Sequence, residues 1–160
     1  MTGRVGIGYD LHPFAAGAER DLVLGGVRFA GERGLSGHSD ADVVAHAVAD
    51  AMLGAAGLGD LGAHFSDQDE RWAGADSLDL LSRVAGLVSG RGYHLANADC
   101  TVVGERPRIA PMRDEMMRRL TEAAGGPVHV KATRPERMGA LGREEGIACM
   151  AVVLLEAAPA

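Results

Sequence analysis

The stretch SDADVVAHAVADAMLGAAG, residues 39–57, decides the fold, because its apolar residues recur at the spacing of one helix face. We predict that a helix begins at Ser39, whose side chain caps it, while Asp42 completes a capping box three residues on. The helix should run to about Ala56, where Gly57 supplies the stop signal.

This helix has an apolar face and a polar face. Its small apolar residues share one side of a 3.6-residue wheel: Val44, Ala47, Val48, Ala51 and Ala55. Asp42, His46 and Asp50 form a stripe on the other side. Polar chemistry is thereby separated from core packing, and His46 becomes a candidate functional residue.

The sequence on both sides of the helix indicates a mixture of strands and helices. Strands are predicted at residues 4–9, 22–29, 99–103, 128–132 and 146–155, the second with a tight bend or bulge at Gly25-Gly26. Further helices are predicted from Ser77 to about Gly90 and over residues 112–124. The predicted fold class is α+β, a two-layer sandwich of a mixed β-sheet packed on helices.

Composition limits the kind of protein this can be. A length of 160 residues, 47% of them hydrophobic and 24% charged, predicts one globular domain over residues 1–160. The net charge of -6 opposes non-specific binding to nucleic acid, so an anionic ligand needs local positive charge.

The cysteine spacing, the N-terminal residues and the length of the apolar runs indicate a cytoplasmic protein. Cys100 and Cys149 lie far apart with no CxxC spacing, which favours buried thiols in a reducing environment. The N-terminal residues have no apolar h-region, so secretion is not expected. The longest apolar run, residues 146–155, is half of the roughly 20 residues that a membrane span needs, and we expect a buried strand there.

Three residues are candidate metal ligands. Asp10 and His12 end the first predicted strand at positions i and i+2, so their side chains project from the same face. With His46 they would form an Asp-His-His set with an open fourth position, as a catalytic zinc requires. The alternatives are an incidental Asp-x-His at a strand end and a His on a solvated helix face.

Two further motifs bear on ligand binding. His38 and Ser39 lie at the predicted helix N-terminus, where free N–H groups and the helix dipole favour an anion, although Ser39 can equally be a simple cap. Residues 57–62 spell G-x-G-x-x-G, but they follow a helix and not a strand. A dinucleotide-binding fold is therefore not predicted.

From about residue 4 to residue 155 the chain resembles the 2-C-methyl-D-erythritol 2,4-cyclodiphosphate synthase family. The resemblance rests on five separated blocks: GYDLH (8–12), HSDAD (38–42) with His46, GLGDLG (57–62) with Phe65 and Asp67, KAT (131–133) with Glu136, and GREEG (142–146). It implies a homotrimer with active sites between neighbouring subunits.

The resemblance also implies roles for individual residues. Zinc would be held by Asp10, His12 and His46, and a magnesium or manganese ion by Glu136. His38 and Arg134 would be catalytic. The implied substrate-binding residues are Asp10, His12, His38, Ser39, Asp60, Gly62, Phe65, Asp67, Gly104, Glu105, Arg106, Pro107, Arg108, Ile109, Thr133, Arg134, Glu136 and Arg143. Among these, residues 104–109 and Thr133 would form the cytidine pocket, whereas Arg143 and Glu145 would line the trimer axis, where the family has a cavity implicated in isoprenoid diphosphate binding.

The implied reaction belongs to non-mevalonate isoprenoid biosynthesis. The 2-phosphate of 4-diphosphocytidyl-2-C-methyl-D-erythritol 2-phosphate attacks the β-phosphorus, closing 2-C-methyl-D-erythritol 2,4-cyclodiphosphate and releasing CMP. The protein supplies positioning and charge stabilisation and no nucleophile. Two rival functions remain: a zinc phosphoesterase using the same three ligands, and a non-catalytic trimeric ligand-binding protein with a structural metal.

The chain departs from the family pattern at several positions. Arg134 stands where the family usually has a threonine, and its guanidinium can either reach a phosphate or pair with a carboxylate such as Glu144. Residues 108–112 form a shorter segment than in many members, and Glu144 and Ala140 also differ. These differences affect how the cytidine pocket closes and what binds at the trimer axis.

Overall fold

The computed structural model describes residues 3–17 and 20–158, which form a mixed sheet, a hairpin and helices. The strands are β1 (Arg4–Pro13), β2 (Leu22–Leu24), β3 (Val27–Phe29), β4 (Tyr93–Val103), β5 (Val128–Thr133) and β6 (Gly146–Ala157). The helices are α1 (Val43–Ala56), α2 (Leu61–His64), α3 (Ser77–Gly90), α4 (Arg113–Ala124) and α5 (Gly139–Gly142), with a 3-10 turn at Glu70–Trp72. Each predicted strand and long helix is present, whereas the three short helical turns were not predicted.

The main sheet has the order β1-β6-β4-β5. Strand β6 pairs antiparallel with both β1 and β4, and β5 pairs parallel with β4. Helices α1, α3 and α4 pack on the sheet and on one another. The prediction of an α+β fold with a mixed sheet packed on helices is confirmed.

The predicted bend at Gly25-Gly26 is the turn of a two-residue hairpin between β2 and β3. Both glycines have positive φ, 58° and 73°, as a type I′ turn demands at its two central positions. A side chain at either residue would be strained, which explains the glycine pair.

Strand β1 lies unusually close to α1, because two of its glycines face the helix. A Cβ built on Gly6 would lie 2.0 Å from the carbonyl oxygen of Ala51, and one on Gly8 would lie 2.0 Å from that of Ala47. By the alternation of a strand, Asp10 and His12 follow on the same face. The glycines therefore let the end of β1 approach the helix that carries His46.

The prediction that Ser39 caps the long helix is wrong. Helix α1 begins at Val43, and its cap is Asp42, which accepts hydrogen bonds from the amides of Val44 and Ala45. Ala41 has a φ of 59°, in the left-handed region, so the chain cannot continue a right-handed helix back to Ser39.

Asp42 is also not part of a solvated stripe. It is fully buried, and its carboxylate accepts the amides of Gly25 and Gly26 in addition to those of α1. Burial, together with the nearby charge of Asp40, raises the pKa of Asp42 to about 6 against these hydrogen bonds. The residue joins the hairpin to the start of α1.

On β1 and β6, the sheet face that points away from the helices is apolar and exposed. The exposed apolar residues of this open face are Val5, Ile7, Tyr9, Leu11, Met150 and Val152, between 42% and 70% exposed. The pairing of β1 with β6 places Ile7 beside Val152 and Tyr9 beside Met150, so the patch is continuous. Patches of this kind mark interaction surfaces in soluble proteins.

The sequence predictions about burial hold for the thiols and in part for the last strand. Cys100 and Cys149 are free, buried thiols on adjacent strands. Residues 146–155 lie within β6, but Met150 and Val152 are exposed, so the expected buried strand is buried on one face only. Within the described residues, none of the helices has the length and apolar character that crossing a membrane would require.

Candidate metal centre and substrate cavities

The end of β1 and the middle of α1 bring three predicted ligands together. One ligand atom from each of Asp10, His12 and His46 lies within 4.8 Å of the other two. Asp10 Oδ2 is 3.1 Å from His12 Nε2 and 3.1 Å from His46 Nδ1. All three side chains are partly buried, so the predicted Asp-His-His set exists as a cluster.

Hydrogen bonding fixes how His12 faces this cluster. Its Nδ1 lies 2.7 Å from the carbonyl oxygen of Ser36, which can only accept, so Nδ1 carries a proton and Nε2 points at Asp10. A backbone carbonyl behind the ring is the usual support for a metal-binding histidine. The donor set of one carboxylate and two imidazoles with space for a fourth ligand fits zinc.

The electrostatics of the cluster favour an ionised Asp10. Burial by itself would raise the pKa of Asp10, but hydrogen bonds from His12 and His46 outweigh it and hold that pKa well below its usual range. The hydrogen bond to Asp10 raises the pKa of His12, and burial opposes the rise. A bound cation would replace the proton that His12 shares with Asp10.

The cluster opens on a cavity of about 450 Å³. Its lining includes the predicted zinc ligand His46 and a part of the predicted substrate-binding set: His12, His38, Ser39, Gly62, Phe65 and Asp67. Trp72, Leu61 and Leu80 complete the apolar side. Polar groups therefore converge on one side of an otherwise apolar cavity, as in small-molecule sites.

Neighbouring chain segments hold His38 and Ser39 at the cavity. His38 Nε2 lies 3.0 Å from the carbonyl oxygen of Asp69, so it donates there and leaves Nδ1 as an acceptor when the ring is neutral. The guanidinium of Arg20 bonds the carbonyl oxygens of Gly37 and Ser39. These contacts position the loop before α1.

A second cavity, of about 360 Å³, lies where β4 and β5 end. Its lining residues are Gly104, Glu105, Pro107, Arg108, Ile109, Ala110, Arg113, Lys131, Ala132, Thr133 and Arg134. Arg106 lines an adjoining cavity, to which Arg108 and Arg134 also contribute. Several cations surround this region, although the whole chain is acidic, so it supplies the local positive charge that an anion needs.

Arg134 faces cavities and not a carboxylate. It lines both cavities of this second region, and the ion pairs among the described residues do not include it. Of its two predicted orientations, the position fits the one toward a phosphate.

Comparison with known proteins agrees with this arrangement. The YgbB family profile matches residues 3–156. The chain belongs to the YgbB family. A 2-C-methyl-D-erythritol 2,4-cyclodiphosphate synthase of Geobacillus thermodenitrificans is 53% identical over 156 residues, which cover 96% of each chain.

Other YgbB-family relatives extend the comparison. The bifunctional enzyme IspD/IspF of Anaeromyxobacter sp. is 57% identical over 154 residues, which are 94% of this chain and 39% of that enzyme. The chain thus spans well under half of that relative. A solved structure described as IspF of Plasmodium falciparum in complex with CDP has a TM-score of 0.84 at 28% identity, covering 98% of this chain and 97% of the other.

Some residues predicted for the YgbB-family site lie outside these cavities. The carboxylate of Asp60 accepts the amide of Ala63 and caps α2. Glu136 is exposed, with a left-handed backbone at φ 54°. Arg143 is exposed and pairs with Glu145 at 2.6 Å. Their roles in ligand binding stay predictions.

The predicted anion site at the start of the long helix lacks the free amide groups that the prediction assumed. Asp42 already accepts the amides of Val44 and Ala45, so these groups are not free for a phosphate. The negative charge of a buried carboxylate also opposes an anion there. The His38 and Ser39 side chains face the cavity from the loop before α1.

Sequence reasoning missed several residues near the site. Lys131 and Arg113 line the second cavity, and Trp72 lines the first. Ser77 lies directly behind His46 but was interpreted only as the start of a helix. Trp72, the one tryptophan of the chain, was a signal by which the first cavity could have been found. Ser77 offered no such signal, because its contact with His46 joins residues that lie 31 positions apart in the sequence.

Proposed function

We propose that the chain converts 4-diphosphocytidyl-2-C-methyl-D-erythritol 2-phosphate to 2-C-methyl-D-erythritol 2,4-cyclodiphosphate and CMP, a phosphorus-oxygen lyase reaction of non-mevalonate isoprenoid biosynthesis. The observation that carries this proposal is the Asp10, His12 and His46 cluster opening on the cavity that His38 and Ser39 line. A relative that is 53% identical over 96% of both chains is named for this activity.

In this reaction an oxygen of the 2-phosphate forms a bond to the β-phosphorus. The bond from that phosphorus to the oxygen bridging the α-phosphate breaks, and CMP leaves with the electron pair. Zinc held by the three ligands would polarise the β-phosphate when bound. His38 and Ser39 hold the phosphates and the sugar, and Asp60 and Gly62 bind the erythritol portion. Phe65 and Asp67 complete the substrate-binding residues on the Gly62 side of the cavity.

The second cavity suits the cytidine end of the substrate. Residues 104–109 and Thr133 surround the nucleotide, and Arg134 stabilises charge on the diphosphate, where a guanidinium donates two parallel hydrogen bonds. Glu136, beyond Thr133 along the chain, would hold a magnesium or manganese ion on the same diphosphate, because such ions prefer oxygen ligands.

The active unit we propose is a homotrimer with sites between neighbouring chains. Within one chain, the cavity at the metal cluster and the cavity at Arg134 share no lining residue. A substrate that reaches both would therefore lie between the first cavity of one chain and the second cavity of its neighbour. The exposed apolar face of the sheet supplies a surface for this association. At the trimer axis we place Arg143.

We also propose a single domain and a cytoplasmic location for the protein. Residues 1–160 act as a single cyclodiphosphate synthase domain. We place the protein in the cytoplasm, in keeping with its two free buried thiols.

The test is incubation with the diphosphocytidyl substrate and magnesium, followed by phosphorus NMR. The proposal expects CMP and the cyclic diphosphate in equal amounts. A linear phosphorylated product would show a zinc phosphoesterase, and substrate that binds without turnover would show a ligand-binding protein. Either result would overturn the proposed function.

A further inference from the structure

A buried hydrogen-bond chain lies behind His46, on the side of the ring away from Asp10. His46 Nε2 is 2.8 Å from Ser77 Oγ and 3.1 Å from Ser39 Oγ. Ser77 Oγ in turn contacts a carboxylate oxygen of Asp40. Ser77 is 1% exposed, so water does not compete for its hydroxyl.

Counting donors fixes the direction of the protons in this chain. An ionised carboxylate only accepts, and the neighbours of Asp40 are all donors: the Ser77 hydroxyl, the Ser77 amide at 3.1 Å and the Asp42 amide at 3.2 Å. Ser77 has one hydroxyl proton, and it goes to Asp40. Toward His46 the Ser77 oxygen can then only accept, so Nε2 of His46 carries a proton.

This assignment decides what His46 presents to the metal cluster. With Nε2 occupied by this hydrogen bond, Nδ1 is the ring nitrogen that faces Asp10 Oδ2, 3.1 Å away, and in the zinc-free protein it hydrogen-bonds to that carboxylate. That is the side on which the ligand atoms of His12 and Asp10 converge. A bound metal would take the place of the proton between Nδ1 and Asp10, while the Nε2 proton stays with Ser77.

We propose that Ser77 and Asp40 are positioning residues of the metal centre, which hold the Nε2 proton of His46 and leave Nδ1 to bind zinc. The inference deepens the proposed function and rests on the metal site assigned there. Outer partners of this kind orient metal-binding histidines and raise their basicity. Because Ser77 accepts the Nε2 proton, the Ser39 hydroxyl, which accepts the Ala41 amide at 3.1 Å, is left able to donate into the cavity.

A purely structural role is the alternative for these residues. The Asp40 amide donates to the carbonyl oxygen of Ala75 at 3.0 Å, so the loop before α1 is already tied to the start of α3. A structural role predicts lower stability on substitution. It does not predict a change of tautomer.

The first measurement is the tautomer of His46 in zinc-free protein at pH 8, from long-range proton-nitrogen NMR with labelled histidine. His46→Gln identifies the signals. We expect Nε2 of His46 to carry a proton in the parent chain. In Asp40→Asn the new amide group can donate to Ser77, whose hydroxyl then turns to His46, so the form with an unprotonated Nε2 should increase.

The second measurement is the affinity for zinc, from competition with a chromophoric chelator. Asp40→Asn and Ser77→Ala should each weaken binding by about 10- to 100-fold. Ser77→Thr retains the hydroxyl oxygen and should recover most of the loss. Ser82→Ala removes an exposed serine from the same helix and should bind zinc as the parent does.

The two measurements together decide the proposal. An unprotonated Nε2 of His46 in the parent chain, or unchanged zinc affinity in folded Asp40→Asn, would overturn it. If Ser77→Ala does not fold, Asp40→Asn still decides, because it keeps the size of the side chain. A parent chain with a protonated Nε2 on His46 and the expected zinc affinity, but with no cyclic product, would overturn the proposed function. It would leave the roles of Ser77 and Asp40 at the metal centre intact.

Discussion

At the scale of single residues, the metal cluster depends on how three side chains share protons. Asp10 is ionised over the whole neutral range because its pKa is lowered by His12 and His46 against the effect of burial. The pKa of His12 is raised from its ordinary value of 6.5 by the hydrogen bond to Asp10. In the zinc-free protein, a protonated His12 therefore provides the positive charge beside Asp10 that a bound zinc ion would provide.

This proton sharing predicts opposite pH dependences for folding and for zinc binding. A raised His12 pKa gives the zinc-free fold stability that is complete below pH 6.5 and is lost as the pH rises through the folded value. Zinc must displace the same proton, so its apparent affinity should rise from pH 6 to pH 8, by at most about tenfold per pH unit for one proton. Chelator competition at pH 6, 7 and 8 measures this. A flat profile would remove His12 from the metal site.

Arg134 carries a second prediction at this scale. A guanidinium about 5 Å from the transferring phosphoryl group contributes on the order of 3 kcal/mol at an effective dielectric constant of about 20, whereas an exposed ion pair contributes about 0–1 kcal/mol. Arg134→Ala should therefore lower turnover more than tenfold with unchanged zinc content.

The matched control for Arg134 is Arg91→Ala, which removes an exposed arginine after α3. It should leave both turnover and zinc content unchanged. Turnover of Arg134→Ala within twofold of the parent would assign Arg134 to the surface and leave charge stabilisation to His38 and the metals.

At the scale of elements, the site depends on the contact between β1 and α1. Asp10 and His12 belong to the strand and His46 to the helix, so the distance between the two elements sets the size of the cluster. Gly8 permits the close approach, because a Cβ there would lie 2.0 Å from the carbonyl oxygen of Ala47.

Gly8→Ala should force α1 away from β1. Overpacking of this kind costs about 1–3 kcal/mol of folding free energy, and the shift should also weaken zinc binding, since His46 precedes Ala47 in the helix. Urea unfolding of the zinc-free protein and a zinc titration measure the two effects.

Gly54→Ala is the control for this prediction, since a Cβ there would meet no described atom within 4 Å. Alanine is the better helix former, so this variant should gain up to about 1 kcal/mol and keep the parent's zinc affinity. A Gly8→Ala variant as stable as Gly54→Ala would show that the helix does not need the glycine.

At the scale of the whole molecule, the sheet has one covered face and one exposed apolar face. The helices cover the first, and the continuous patch on β1 and β6 lies on the second: Val5, Ile7, Tyr9, Leu11, Met150 and Val152. In the proposed trimer this second face is buried against neighbouring chains. The catalytic unit is then larger than the fold of one chain.

Ile7→Lys tests this arrangement, because Ile7 is 70% exposed in the centre of the patch. A charge there should dissociate the trimer, visible by sedimentation velocity, and abolish turnover while zinc binding within each chain persists. Leu87→Lys places the same charge on the exposed side of α3, where Leu87 is 39% exposed, and should leave the assembly intact. A trimeric, active Ile7→Lys variant would contradict the proposed interface.

The sequence by itself determined the elements and the ligand set. Periodicity located the strands and long helices, because side-chain spacing follows from local backbone geometry. The positions of Asp10 and His12 on one strand face and of His46 on a helix were equally local facts. The extra residues of β1 and the short helices were not predicted, since tertiary contacts extend or create them.

Only the tertiary structure decided which residues meet across the fold. Asp42 caps α1 in place of Ser39 because the left-handed Ala41 stops the helix and the hairpin amides complete the burial of the carboxylate. Ser77 lies against His46 because α3 packs beside α1, a contact across 31 residues that no local pattern records. Strand and helix signals come from neighbours in sequence, whereas caps, tautomers and cavities come from neighbours in space.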